Sequence, residues 1–418
     1  MQRFRTTRFR RLPLDGRKAV APPVGIKFGV TSNTFNTNSK TTQDLSAGFA
    51  ETPKAALFAH AHSVGSGTIV PDGGLSVSVG DGSTEALIAG RSEDGQATSD
   101  CQYWKNSLWA VGSVNESALS PLARATPTFP SGGTTRLTWD MAAAGAPSDW
   151  LGGVLHMGGD NLSAKQSSVS VTASTDGTFG LTGVGFAPDV MIALCGPNAG
   201  GSGTLVPDNT GGVGFAVRGG SQASCNFRSR NGLATTSVAS YMSNAWALTA
   251  LTTSGAQGLE VTSWDSDGVT LTARNNGWSW GEYFLFLKLD SNADAAVSVI
   301  DWPTSTGVQT YAVGFRPRVV LMATVQLNVL NTYAVGNVGL VLSIIGGSTQ
   351  VCSAMVDQDG AGTSATHGVQ TNKALKVPDI TGSTWWEADF AGFVDNGFRL
   401  NFTTVHTVAR KAIVLALR

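Results

Sequence analysis

One short phrase is written three times along this chain. Gly185-Phe186-Ala187-Pro188-Asp189-Val190-Met191-Ile192 and Gly314-Phe315-Arg316-Pro317-Arg318-Val319-Val320-Leu321 share a glycine, an aromatic, a proline and an apolar run. A looser copy, Gly48-Phe49-Ala50-Glu51-Thr52-Pro53-Lys54-Ala55-Ala56-Leu57-Phe58, carries one extra residue before its proline. Proline cannot donate to a strand ladder, so it belongs at the first residue of a strand, and the apolar run after it reads as a buried strand. Recurrence at a spacing of roughly 130 residues marks a tandem repeat, and a repeat constrains the fold more than any single motif.

The residues after the phrase also recur. Gly73-Gly74-Leu75-Ser76-Val77-Ser78-Val79, Gly211-Gly212-Val213-Gly214-Phe215-Ala216-Val217 and Gly336-Asn337-Val338-Gly339-Leu340-Val341-Leu342 are Gly-led strands. Glu93-Asp94-Gly95, Arg230-Asn231-Gly232 and Asp359-Gly360 are turn signals at matching places. Each copy closes on a compact apolar run, for example Tyr283-Phe284-Leu285-Phe286-Leu287 and Ala412-Ile413-Val414-Leu415-Ala416-Leu417. Short strands separated by turn residues imply an all-β fold of three tandem β-sandwich (jelly-roll-like) repeats, over residues 26–160, 165–290 and 296–418. At 418 residues, division into several domains is expected. Lys105 to Ala110 and Ala142 to Ala146 leave room for short helical pieces only.

Residues 1–25 differ from the rest. Arg3, Arg5, Arg8, Arg10, Arg11, Arg17 and Lys18 crowd a segment that also holds Phe4, Phe9, Leu12 and Leu14 and ends at Pro22-Pro23. An extended basic arm without a core of its own is expected to dock on an acidic surface of another subunit. Its few aromatics argue against nucleic acid as the partner. The whole chain has a formal net charge of −1 and only 14% charged residues, so the body has no global attraction to nucleic acid or anionic membrane. No apolar run is long enough to span a bilayer, and the basic start lacks the apolar stretch of a signal peptide. Neither membrane insertion nor secretory export is therefore expected.

Little in the sequence asks for catalysis, and no cofactor is expected. His60-Ala61-His62 places two imidazoles on one face of a strand end, a metal-compatible spacing without a third ligand nearby. The aligned copies carry Cys195 and Thr324 at the His60 position, which favours an exposed or hydrogen-bonded strand end over a metal site. Asp72, Asp81, Asp208 and Asp359 stand in Gly-rich turns, where ordinary turn chemistry outweighs calcium binding. Glu387 and Asp389, two apart on a strand-like piece, are a weak glycosidase pair. No nucleophile motif accompanies the five histidines. Cys101, Cys195, Cys225 and Cys352 form no CxxC pair and read as buried free thiols.

The tryptophans are the stronger lead. Trp264, Trp278 and Trp280 cluster near the end of the second repeat, and the neighbours Trp385 and Trp386 point to opposite faces of a strand. These five are candidates for interface or glycan contact.

The Gly-Phe-x-Pro-x-Val phrase at Gly185–Ile192 and Gly314–Leu321, followed by a Gly-rich hairpin, resembles repeats of tailed-bacteriophage virion proteins of the minor-tail or tail-fibre kind. It covers the second and third repeats well and the first loosely, where the inserted residue and Lys54-Ala55-Ala56 depart from it. The resemblance implies a non-enzymatic virion part of the tail or fibre region, anchored to other virion proteins. Oligomerisation, as a trimer in a fibre-like part, would cover sheet edges. A host surface glycan or protein is a further expected partner. A capsid decoration or head-fibre protein and a carbohydrate-binding adhesin module are the alternatives.

Overall fold

The computed structural model describes residues 25–35, 42–61, 66–114, 121–140, 150–171, 177–196, 205–275 and 280–418. Among the described residues the fold is nearly all β, and the named strands pair antiparallel. The one helical element among the described residues is the 3-10 turn Asn292–Asp294, which the sequence reading missed. Of Lys105 to Ala110, where a short helical piece had room, Lys105 and Asn106 end the strand Cys101–Asn106 and residues 107–110 are not helical, while residues 142–146 lie outside the described residues.

Six sheets alternate between seven and four strands, and the strand order recurs. The first seven-stranded sheet runs Lys27–Phe35, Trp150–Gly158, Pro53–Ala61, Gly74–Gly80, Glu85–Ser92, Cys101–Asn106 and Leu205–Pro207. The second runs Ser163–Val171, Trp280–Lys288, Val190–Cys195, Asn209–Val217, Gln222–Ser229, Val238–Ser243 and Ala334–Val335. The third runs Ala295–Asp301, Lys411–Leu417, Val319–Thr324, Val341–Gly346, Thr349–Asp357, Thr366–Thr371 and Ile69–Pro71. Each is accompanied by a four-stranded sheet, centred on Thr134–Asp140, Gly268–Arg274 and Gly397–Thr404 respectively.

The last strand of each seven-stranded sheet comes from elsewhere in the chain. Leu205–Pro207, from the second sheet pair, adds to Cys101–Asn106 of the first. Ala334–Val335, from the third, adds to Val238–Ser243 of the second. Ile69–Pro71, from the first, adds to Thr366–Thr371 of the third. The three exchanges close a cycle, and each covers an edge that would otherwise offer unpaired backbone groups.

Two-sided burial explains the repeated apolar run. In Pro53–Ala61, Ala55, Leu57 and Ala59 enter a core shared by all three large sheets, whereas Ala56 and Phe58 face the four-stranded sheet behind. Val190, Ile192 and Leu194 against Met191, Ala193 and Cys195 divide the same way, as do Val319, Leu321 and Ala323 against Val320 and Met322. A strand buried on both faces needs no polar alternation. The four-stranded sheets bury one face, and Thr134–Asp140 and Gly307–Ala312 accordingly alternate buried or half-buried with exposed positions.

The glycine of the phrase has a specific task. Gly48, Gly185 and Gly314 adopt φ of 76°, 86° and 95°, a left-handed conformation that side chains disfavour. They turn the chain from the small sheet into the large one. The preceding residues, Ala47, Val184 and Val313, donate their N–H groups to Gly133, Asp267 and Asn396. The recurring phrase and the recurring late turn are thus two halves of one corner. Pro53 begins its strand, whereas Pro188 and Pro317 stand two residues before theirs, inside this corner.

Candidate functional site

Strand register sorts the sheets into two ends. Lys27, Gly158, Pro53, Gly80, Glu85 and Asn106 lie at one end of the first large sheet. Phe35, Trp150, Ala61, Gly74, Ser92 and Cys101 lie at the other. The described chain starts and finishes at the first end. Gly25 lies against the Asp290 carboxylate, and Ile26 O accepts from Arg318 Nη1 at 3.2 Å. Arg418 N donates to Asp294 O at 2.9 Å, so Gly25 and Arg418 both flank the Asp290–Asp294 link. The arm residues Arg3, Arg5, Arg8, Arg10, Arg11, Arg17 and Lys18 lie outside the described residues, and Gly25 is where they attach.

The second end carries a ring of clasps. Asp94, Asn231 and Asp359 occupy the turns after Glu85–Ser92, Gln222–Ser229 and Thr349–Asp357. Asp94 Oδ1 accepts from Thr366 N at 2.9 Å, Asn231 Oδ1 from Cys101 N at 2.8 Å, and Asp359 Oδ1 from Val238 N at 2.7 Å. The glycines beside them add Gly95 N to Ser364 O, Gly232 N to Ser99 O and Gly360 N to Thr236 O. Each turn therefore fastens one sheet pair to another in the same cyclic sense. Asp72, Asp208 and Asn337 hold the turns in shape by accepting from the amides of Asp94, Asn231 and Asp359. Asp208 also pairs with Arg228 at 2.5 Å, and Asp81 accepts from the amides of Ser83, Thr84 and Gln166. The turn oxygens considered for calcium are thus engaged in protein contacts. Among the described residues no three His, Cys, Asp or Glu side chains gather as a metal site.

The two remaining readings of local chemistry resolve into structure. His60 is a core residue, not an exposed strand end: its ring stacks on Trp150 at 5.3 Å and meets Phe35 edge-on at 5.8 Å. Burial lowers its pKa to about 4, which keeps it neutral. His62 lies outside the described residues. Glu387 and Asp389 are held by lysines, with Lys373 Nζ 2.8 Å from Asp389 and 3.4 Å from Glu387, and Lys376 Nζ 3.6 Å from Glu387. All four cysteines are buried and free. Burial pushes Cys101 and Cys225 up to about 12 and Cys352 to about 11, and raises Cys195 well above its ordinary value. These thiols are poor nucleophiles.

The tryptophans do not form one surface. Trp264 is half-buried beside the turn that closes on Gly268, with the Arg218 guanidinium 5.8 Å from its ring centre. Trp280 begins a strand at the opposite end of the same sheet pair, and Trp278 lies outside the described residues. Trp386 corrects its reading as a contact residue, because it is 0% exposed and packs 5.6 Å from Trp302 in the third core. Trp385 keeps a half-exposed face and meets Trp386 and His406 at 6.2 and 5.4 Å.

Two kinds of contact between sheet pairs escaped the sequence reading. The exchanged strands were one, although Thr68-Ile69-Val70-Pro71-Asp72 and Thr204-Leu205-Val206-Pro207-Asp208 repeat the same pattern. The other is a buried polar contact between sheet pairs. Lys105 Nζ donates to Gly281 O at 3.1 Å beside the buried Glu282, whose carboxyl burial raises well above its ordinary range. No sequence signal marked that pairing. Comparison with family models, with curated proteins and with solved structures finds no match to this chain.

Proposed function

We propose that this chain is a non-enzymatic structural protein of a tailed-bacteriophage virion, in the tail or fibre region, joined to other virion proteins by its basic N-terminal arm. In this reading the three sheet pairs are three jelly-roll-like β-sandwich repeats fused into one block. The observation that carries it is the closed cycle of exchanged strands, which leaves a chain built for mechanical integrity. The ion-paired carboxylates and buried thiols support a non-enzymatic role. The homo-oligomer expected from the sequence, a trimer of chains in a fibre-like part, belongs to the same proposal. The arm attaches at the end bearing Gly25, which leaves loops of the opposite end for contact with a host glycan or protein.

Deleting residues 1–24 tests the anchoring role. The truncated chain is expected to fold and stay soluble but to be missing from purified particles. Normal incorporation would refute the anchor. Labelling Arg418 in intact particles locates the protein: a label on the tail supports this reading, and a label over the shell replaces it with capsid decoration.

A further inference from the structure

The three sheet pairs meet at a buried polar cluster. Ser92, Ser229 and Asp357 end equivalent strands, pairing in register with Cys101, Val238 and Thr366. They are counterparts, one from each pair, and all three are buried. Ser92 Oγ donates to Asp357 Oδ2 at 2.6 Å, and Asn209 Nδ2 donates to Ser92 Oγ at 2.9 Å. Cys101 Sγ lies 3.2 Å from Ser229 Oγ, and the Ser229 hydroxyl also acts on the Asp357 carboxyl. Asp357 Oδ1 has no hydrogen-bond partner. A lone carboxyl thus stands at a joint where its two counterparts are serines.

Among the described residues no cation is placed to balance it. The strand Cys101–Asn106 presents the Cys101 thiol, neutral with its pKa pushed to about 12. The neighbouring strands and turns carry Arg91, Asp94, Asp208, Arg228 and Asp359, each engaged elsewhere. Arg91 faces Asp72 and Arg228 faces Asp208, while Asp94 and Asp359 hold the Thr366 and Val238 amides.

We propose that Asp357 makes the joint between the three sheet pairs proton-sensitive, closed while its carboxyl carries a proton and loosened when the proton leaves. An ionised carboxylate here would be buried against two hydroxyls and a thiol, with one oxygen unsatisfied, which is costly. Burial raises its pKa from the ordinary 3.8 to about 7, with Ser92 and Ser229 opposing the shift. The folded chain therefore holds a proton that the unfolded chain releases. Stability falls as pH rises through that window and levels off above the folded value. This holds whether or not the chain belongs to a virion.

The test compares the full chain with Asp357→Asn, which keeps the shape and donor of the protonated acid but cannot titrate. Glu85, Glu93 and Glu282 are also raised, so only the difference between the two proteins isolates Asp357. From about pH 5 to about pH 8, the unfolding equilibrium of the wild type is expected to shift towards unfolding relative to the variant by about a hundredfold. At the upper pH, hydrogen exchange at the Cys101, Val238 and Thr366 amides should be faster in the wild type. Parallel stability curves, or equal exchange at those amides, would overturn the proposal. Should Asp357→Asn fail to fold, Asp357→Ser copies the counterpart residues and serves the same comparison. The difference between the infrared spectra of the two proteins, from which the carboxyls common to both cancel, reports the titration of Asp357 across neutral pH directly.

Discussion

Trp385 and Trp386 are chain neighbours with different surroundings. Strand alternation separates their faces, and this was legible in the sequence. Which face is the core was not, because that depends on Trp302, far away in the chain and 5.6 Å away in space. The consequence is measurable in denaturant midpoints. Trp386→Ala is expected to cost about 3–5 kcal/mol, the usual penalty for emptying a large core site. Trp385→Ala should cost about 1–2 kcal/mol, since only part of its surface leaves water. Equal losses would mean that the two rings share one environment. His60 illustrates the same limit: its sequence neighbours suggested an exposed or hydrogen-bonded strand end, and only the packing of Trp150 and Phe35 makes that strand end a buried, neutral one.

At the scale of elements, the Asp-Gly and Asn-Gly turns were recognisable as turns, and they are. Their further task was hidden, because the amide that each side chain binds belongs to a distant part of the chain. Asp94→Ala, Asn231→Ala and Asp359→Ala should each remove one acceptor from a partly buried amide and cost about 1–3 kcal/mol. Their counterpart positions predict similar losses, and chemical denaturation of single and double variants checks both size and additivity. One variant several times more harmful than the others would show that the three clasps are not equivalent. The exchanged strands, only two or three residues long, fall below the length at which periodicity is informative.

For the whole molecule, the placement of Gly25 and Arg418 is decisive. Gly25 and Arg418 both abut the Asp290–Asp294 link, where a further link between the third and first sheet pairs would run. A circular permutant that joins Arg418 to Gly25 through a short flexible linker and opens between Asp160 and Asn161 is expected to fold. Both residues of the new opening are exposed. Its stability should match that of residues 25–418 within about 1 kcal/mol, since no ladder or clasp is cut. Denaturation with sedimentation checks this, and an unfolded or aggregated permutant would show that chain order itself holds the ring together.

The amino-acid sequence by itself determined much of the strand pattern and its two-sided or one-sided burial, because each depends on residues within a few positions of one another. Closure into a ring, the exchange of three short strands and the meeting of Asp357 with Ser92 were decided only by the tertiary structure. That last contact joins residues 265 positions apart. No local periodicity encodes such a pairing. It arises because three similar sheets bury their apolar faces against one another, and their strand ends are then brought to a common joint.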